Sequence, residues 1–246
     1  MADCESGLLL RFAVCFCIYG GKMNVGAISL TEIDKKTAER YLGYGTSSAD
    51  PVTSGLLRKC EEELLSEIQA RYVYKIFDLK DGQPAGCSLY LPGNSIREHL
   101  KGASKALFLC ATLSSAVDRL IRKKQIGSMA EAMVTDALAS AAVDQVLDEA
   151  EARIFAEYPF REHTWRFSPG YGDLPLEIQG SFLDILDAPK RIGVCVSPSL
   201  LLTPTKSVTA VIGLGEHIEK KHKKTCEICT LRGNCRFRPC GTETGE

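Results

Sequence analysis

Between Ser128 and Tyr158 the sequence sustains helical periodicity, and its middle, Ala137 to Val143, is seven residues without a charge and mostly small. A helix that is apolar all round has to be covered nearly all round, so the rest of the chain is expected to pack about this segment. Asp144 follows at once, an acid placed where the helix leaves its most apolar section, and Pro159 ends the run.

The segments before it alternate between helix and strand signals. Thr31 with Asp34 three residues on approximates a capping box, and Gly43 stops the short first helix. Leu56, Leu57, Cys60, Leu64, Leu65 and Ile68 recur at the spacing of an amphipathic second helix. Tyr72 to Leu79 is rich in aromatic and β-branched residues. The Asp81-Gly82 turn signal then predicts a hairpin returning through Ala85 to Leu91. Pro92-Gly93-Asn94 breaks the chain before a short helix, Ala106 to Leu113 has the length of a buried strand, and a helix is predicted around Ala116 to Lys124. After the long helix, a helix is expected from Leu176 to Leu186, with strands at Ile192 to Val196 and Ser207 to Leu214. These elements predict a single α+β domain with a mostly antiparallel mixed sheet flanked by helices, over residues 23–215, plus a small Cys-rich C-terminal tail, 216–246.

With 246 residues, 45% hydrophobic, the chain can bury a sizeable core. A formal net charge of -1 provides no basic field for nucleic acid. The 11 cysteines are scattered through an ordinary globular composition rather than the density of a secreted disulfide module, so a reducing cytoplasm is expected. The apolar run Leu8 to Tyr19 contains Arg11, is too short to span a bilayer and lacks a signal-peptide cleavage pattern, so no membrane partner is expected. Gly20-Gly21-Lys22 before Met23 is what a translated purine-rich ribosome-binding site would encode. Residues 1–22 therefore read as a non-native or disordered extension.

Arg166-Phe167-Ser168-Pro169-Gly170-Tyr171-Gly172-Asp173-Leu174-Pro175 concentrates residues that set backbone shape. Its glycines allow a ligand to approach the backbone and its prolines hold the flanks. Arg166 offers a fork suited to a carboxylate, and Tyr171 a flat face with a hydroxyl. Together they suit a zwitterionic, aromatic-bearing metabolite. The same residues also compose a structural loop with Arg166 in an internal ion pair and Tyr171 packed, and the chemistry alone leaves both open. Asp144 is equally readable as a helix acid paired locally near Asp148. Asp173 is expected to cap the helix beginning at Pro175. His99 and His163 are isolated and read as surface or satisfied histidines.

The Arg-x-x-Pro-Gly-Tyr pattern resembles the activation domain of vitamin B12-dependent methionine synthase. So do the following helix with Gln179, Ile192-Gly193-Val194, and Pro204-x-Lys206-Ser207-Val208. Arg40-Tyr41-Leu42-Gly43-Tyr44, Ala111-Thr112-Leu113 and the long helix with Asp144 resemble its stand-alone, split members, and the likeness covers roughly residues 30 to 214. It implies S-adenosylmethionine (AdoMet) in a shallow groove, with Arg166 on the methionine carboxylate, Pro169, Gly170, Tyr171 and Gly172 framing the rest, and Asp144 standing where the family has a glutamate. Ile212 falls where the family has a second tyrosine, and Gly172 with Asp173-Leu174 replaces the proline, alanine and cysteine of fused synthases. The implied function is reductive methylation of cob(II)alamin to reactivate a cobalamin-dependent methionine synthase, as an accessory domain of that methyltransferase in methionine biosynthesis. Cobalamin would be carried by the partner's cobalamin-binding module, since this chain has no Asp-x-His-x-x-Gly signature, and a flavodoxin or ferredoxin-type donor would supply the electron. A non-catalytic AdoMet- or metal-binding regulatory protein of a corrinoid methyltransferase pathway is the alternative.

Four thiols, Cys226-x2-Cys229-x5-Cys235-x4-Cys240, lie close enough in sequence to converge on zinc or an iron-sulfur cluster, with reduced or redox-active thiols as the alternative.

Overall fold

A computed structural model of the chain describes residues 22–45, 47–158, 162–216 and 218. The extension before residue 22 and the four tail cysteines lie outside the described residues. In chain order the elements are β1 (Asn24–Ile28), α1 (Lys35–Tyr41), α2 (Pro51–Glu67), β2 (Ala70–Lys80), β3 (Gln83–Pro84), α3 (Asn94–His99), β4 (Lys105–Thr112), α4 (Ser115–Gly127) and α5 (Met129–Glu157). β5 (Glu162–His163), a 3-10 turn (Leu176–Ile178), α6 (Gln179–Ile185), α7 (Ala188–Ile192), β6 (Cys195–Val196), β7 (Leu202–Thr203) and β8 (Ser207–Gly215) complete it.

The main sheet runs β1-β2-β4-β8-β5, with β3 attached to β2, and every pairing is antiparallel. Strand alternation divides the core into two layers. Leu107, Leu109 and Ala111 of β4 and Ile212 and Leu214 of β8 meet the helices α1, α2, α4 and α5 on one face. Ala106, Phe108, Cys110 and Val211 point to the other face, where Phe182 of α6 and Ile96 of α3 pack. Phe108 centres that second layer, its ring 5.3 Å from both Phe77 and Phe182. This is the α+β domain that the sequence predicts.

The central helix behaves as its composition requires. Ala137 to Val143 is buried except at Ser140, which is partly exposed. Three other expectations need correction, and one strand has no forecast in the sequence. Asp34, not Thr31, caps α1, because its carboxylate accepts from both Lys36 N and Thr37 N. The hairpin after β2 turns at Asp81-Gly82, both at positive φ, yet the return is only two residues long. Pro84 has no N–H to donate to the ladder, and past it only the Ala85 N–H reaches back to β2, at Asp78 O at 2.8 Å. Ala85 to Leu91 is therefore turn and coil. Ile192 to Val196 is not a strand throughout: α7 runs to Ile192, Gly193 caps it at φ 73, and only Cys195–Val196 pairs, with β7. Finally, β1 carries no strand prediction in the sequence. It is an edge strand whose Gly26 admits the ring of Tyr72, which a Cβ would meet at 2.3 Å.

Candidate functional site

The Arg166 to Pro175 segment lies along the outer edge of β8. Phe167 exchanges two backbone hydrogen bonds with Val211, its N–H to Val211 O at 2.9 Å and Val211 N–H to Phe167 O at 2.7 Å. Ser168 Oγ donates to Thr209 O at 2.7 Å, one step further along the strand. The chain then turns tightly, with Gly170 N–H on Leu174 O at 2.8 Å and Tyr171 N–H on Ser168 O at 3.0 Å. Gly170 and Gly172 sit at φ 91 and 54, and a Cβ on Gly172 would lie 2.5 Å from Ser95 Oγ. The glycines thus serve the turn itself. Tyr171 remains 44% exposed, its ring edge-on to the buried Phe167.

Asp173 does not cap the helix that follows. Its carboxylate reaches back to accept from Asn94 N at 2.7 Å and Ser95 N at 2.8 Å, capping α3 from 79 residues away. These two N–H groups hold its carboxyl below the usual range. The physical reason is positional: Pro175 already starts the 3-10 turn without needing a side-chain cap, whereas α3 begins at Gly93, which has none to give.

On the opposite face of the sheet, Arg166 engages α5. Its guanidinium bonds Glu151 through Nε and Asp148 through Nη2. Burial lowers its pKa and the two carboxylates raise it, for a net rise. Burial raises the Glu151 carboxyl, opposed in part by Arg166. The internal ion pair is thus present, and it occupies two of the five N–H donors. One turn before Asp148, Asp144 accepts from Tyr41 Oη at 2.6 Å. Asp144, Asp148 and Glu151 occupy one face of α5 by their spacing. Further up the helix, Lys206 Nζ reaches Ser140 Oγ at 2.9 Å and Asp136 at 2.9 Å. Among the described residues no cation pairs with Asp144. Burial, then the bond to Asp144, raises the Tyr41 phenol pKa, with a smaller contribution from the Tyr171 side chain.

Tyr171 also lines a groove of about 360 Å³ formed with Pro169, Leu176, Leu202, Val208 and Thr209. The loop before β8 is fixed by Thr205, which donates from N and Oγ1 to Asp118 at 2.9 and 2.6 Å. At the groove's inner side Gln179, 3% exposed, donates from Nε2 to Thr209 Oγ1 at 2.9 Å. Pro169, Gly170, Tyr171 and Gly172 are thus brought together at one edge of β8, while Arg166 reaches Asp148 and Glu151 of α5, the helix that also carries Asp144. Ile212 is fully buried in the α5 layer.

Neither histidine belongs to this arrangement. His99 Nε2 is 2.8 Å from Thr164 Oγ1, and burial pushes its pKa down to about 4; His163 stacks on Phe155. Among the described residues no group of three or more His, Cys, Asp or Glu is placed to hold a metal, and no helix is long and apolar enough to cross a membrane. Spacing on the long helix carries the signal for Asp148 and Glu151, since i, i+4 and i+7 from Asp144 fall on one face. Tyr41, contributed from 103 residues away, has no such local signal.

The antiparallel sheet with helices α1, α2, α4 and α5 on one face and a glycine-turned loop on its outer edge is a fold that recurs among solved structures. No family model matches the chain, and no curated protein matches it. The crystal structure of the MetH reactivation domain bound to AdoHcy shares the fold, with a TM-score of 0.59 over 84% of this chain and 82% of that one, at 13% identity.

Proposed function

We propose that the chain binds AdoMet and supports reductive methylation of cob(II)alamin on a partner methionine synthase. The observation that carries the reading is the fold, shared with a domain that holds AdoHcy, in which Arg166 is bound to α5, the helix that also carries Asp144, and Tyr171 of the same loop lines a groove. Asp144, Asp148 and Glu151 bring three carboxylates against the single charge of Arg166. That balance suits the sulfonium and ammonium groups of AdoMet, while the unused N–H groups of Arg166 serve its carboxylate. Tyr171, on the same loop as Arg166, lines the groove with Pro169, Leu176 and Leu202 and would frame the rest of the ligand. Pro169, Gly170 and Gly172 hold the loop in shape.

The chemistry supplied by the partner's cobalamin is one-electron reduction coupled to methyl capture, with the electron from a flavodoxin or ferredoxin-type donor. The task left to this chain is to hold the sulfonium methyl in place, which is positioning rather than acid-base catalysis. The four tail cysteines are proposed as a zinc or iron-sulfur site, and the protein as cytoplasmic. The test is a turnover assay with cob(II)alamin-loaded synthase, a reductant and methyl-labelled AdoMet, scored for methylcobalamin. Formation that depends on this chain supports the proposal. Formation indifferent to it assigns the chain to the regulatory alternative.

A further inference from the structure

Large apolar side chains exposed singly are ordinary on a protein surface, but a cluster of them marks a surface that is covered in use. Tyr41, Met129 and Met133 are 42%, 62% and 59% exposed, and all three line one groove of about 380 Å³ where α1, α4 and α5 converge. Its apolar floor is Leu42, Ile121, Ala132 and Ala137. Ile126, 91% exposed, follows the groove-lining Gln125 near the end of α4. The groove shares no lining residue with the one at the β8 edge.

The polar groups at its margin are already engaged. Tyr41 Oη donates to Asp144 at 2.6 Å, Ser140 Oγ donates to Asp136 O at 3.0 Å, and Lys206 Nζ donates to Ser140 Oγ and pairs with Asp136. A small molecule seated here would also leave Ile126 in water, whereas a helix laid across the corner covers Ile126 as well as the groove. The flank of α4 fixes the charge of that helix. Arg119, Arg122, Lys123 and Ile126 share one exposed face by their spacing. Among the described residues Arg119 bonds Ser115 Oγ, and no carboxylate pairs with Arg119, Arg122 or Lys123. Asp118, the acid of α4, is buried and turned to Thr205. A second copy of the chain, seated on the same corner about a two-fold axis, would set these cations against their duplicates. The chain's own tail, with Lys220, Lys221, Lys223 and Lys224, carries the same sign.

We propose that the corner between α4 and α5 docks an acidic amphipathic helix of a partner protein, whose apolar side chains enter the groove beside Met129 and Met133 and whose carboxylates face Arg119, Arg122 and Lys123. The groove has room for about two or three aliphatic side chains, the anchors that one face of a helix presents. The unbranched methionines at its rim adapt to the side chains that enter. The cations select the partner's sign and speed its approach. This docking is independent of the AdoMet reading.

Two fluorescein-labelled helical peptides test it, each with leucines at i, i+4 and i+7, one flanked by glutamates and the other by lysines. In anisotropy titrations with the full chain at low ionic strength, the glutamate peptide should bind saturably and about tenfold or more tighter than the lysine peptide. Salt near about 1 M should bring the two within about threefold of each other. Met133→Glu, at an exposed position, should weaken the glutamate peptide about tenfold or more, and Arg122→Glu with Lys123→Glu should abolish the preference for it. Thermal unfolding confirms that each variant is folded. No saturable binding, equal affinity of the two peptides at low salt, or binding indifferent to Met133→Glu overturns the proposal. Dimerisation in sedimentation that Met133→Glu abolishes assigns the corner to a second copy and overturns it as well.

Discussion

Arg166 has two roles that a single substitution confounds, an ion pair to α5 and a proposed contact with the ligand. Arg166→Ala leaves Glu151 without its partner in a place where its side chain is 17% exposed, whereas Asp148, at 71%, returns to water. Loss of the Asp148 contact costs at most about 1 kcal/mol, as exposed pairs do. Leaving a carboxylate uncompensated costs about 3 to 5 kcal/mol when burial is complete, and partial exposure reduces this to about 2 to 3 kcal/mol at pH 7. The pH dependence follows from the direction of the Glu151 shift. Burial already raises this carboxyl above its ordinary value of 4.5, and without Arg166 it rises further. The folded state then holds a proton that the unfolded state releases. The defect of Arg166→Ala should accordingly be small near pH 4.5 and grow as pH rises through the folded-state pKa. Adding Glu151→Gln removes the unpaired charge and should restore stability to within about 1 kcal/mol of wild type. Urea unfolding of the four proteins of this cycle at pH 5 and pH 7 measures both effects. AdoHcy affinity, titrated in parallel, should remain at least tenfold weakened in the double variant, because the ligand contact is not rebuilt. A defect that ignores pH and is not relieved by Glu151→Gln would refute the electrostatic reasoning. Full recovery of binding along with stability would reduce Arg166 to a structural residue.

Gly172→Ala should lower stability by about 2 kcal/mol by urea unfolding, since φ 54 disfavours a side chain and the new Cβ meets Ser95. His99, with its pKa pushed from 6.5 to about 4 by burial, is neutral when folded, so the unfolded state binds the extra proton below pH 6.5. Stability from this residue is complete above pH 6.5 and falls by up to about 3 kcal/mol as pH drops to 4; His99→Gln should flatten that slope in pH-dependent unfolding. AdoMet, with one more positive charge than AdoHcy, should bind more tightly than AdoHcy at low ionic strength. Raising salt toward 1 M should narrow the difference, as read by calorimetry.

Much of the fold is legible in the sequence because it rests on local signals. The apolar middle of α5, the spacing in α2 and the compact run of β4 each declare one element. What is not legible depends on distant partners. The stretch after Asp81-Gly82 has a hairpin signal, but Pro84 interrupts its ladder and Leu91 is held instead by the Gln83 side chain, which bonds both its N–H and its C=O. Asp173 reads as a local cap, and only the fold reveals α3 as the helix it serves. In the site, Arg166 and Tyr171 stand out through residue chemistry, and Asp144 through its place on the long helix. Gln179 lies inside the motif-bearing region, yet its bond to Thr209 is made to another element and has no local signal. Sequence spacing likewise cannot foresee that Tyr41 binds Asp144 or that Arg166 is already bound to α5.

The most direct test of the central claim is calorimetric titration of the full chain with AdoMet, alone and with its corrinoid partner present. Saturable one-to-one binding, weakened at least tenfold by Arg166→Ala combined with Glu151→Gln, is the predicted result. No binding under either condition would contradict it.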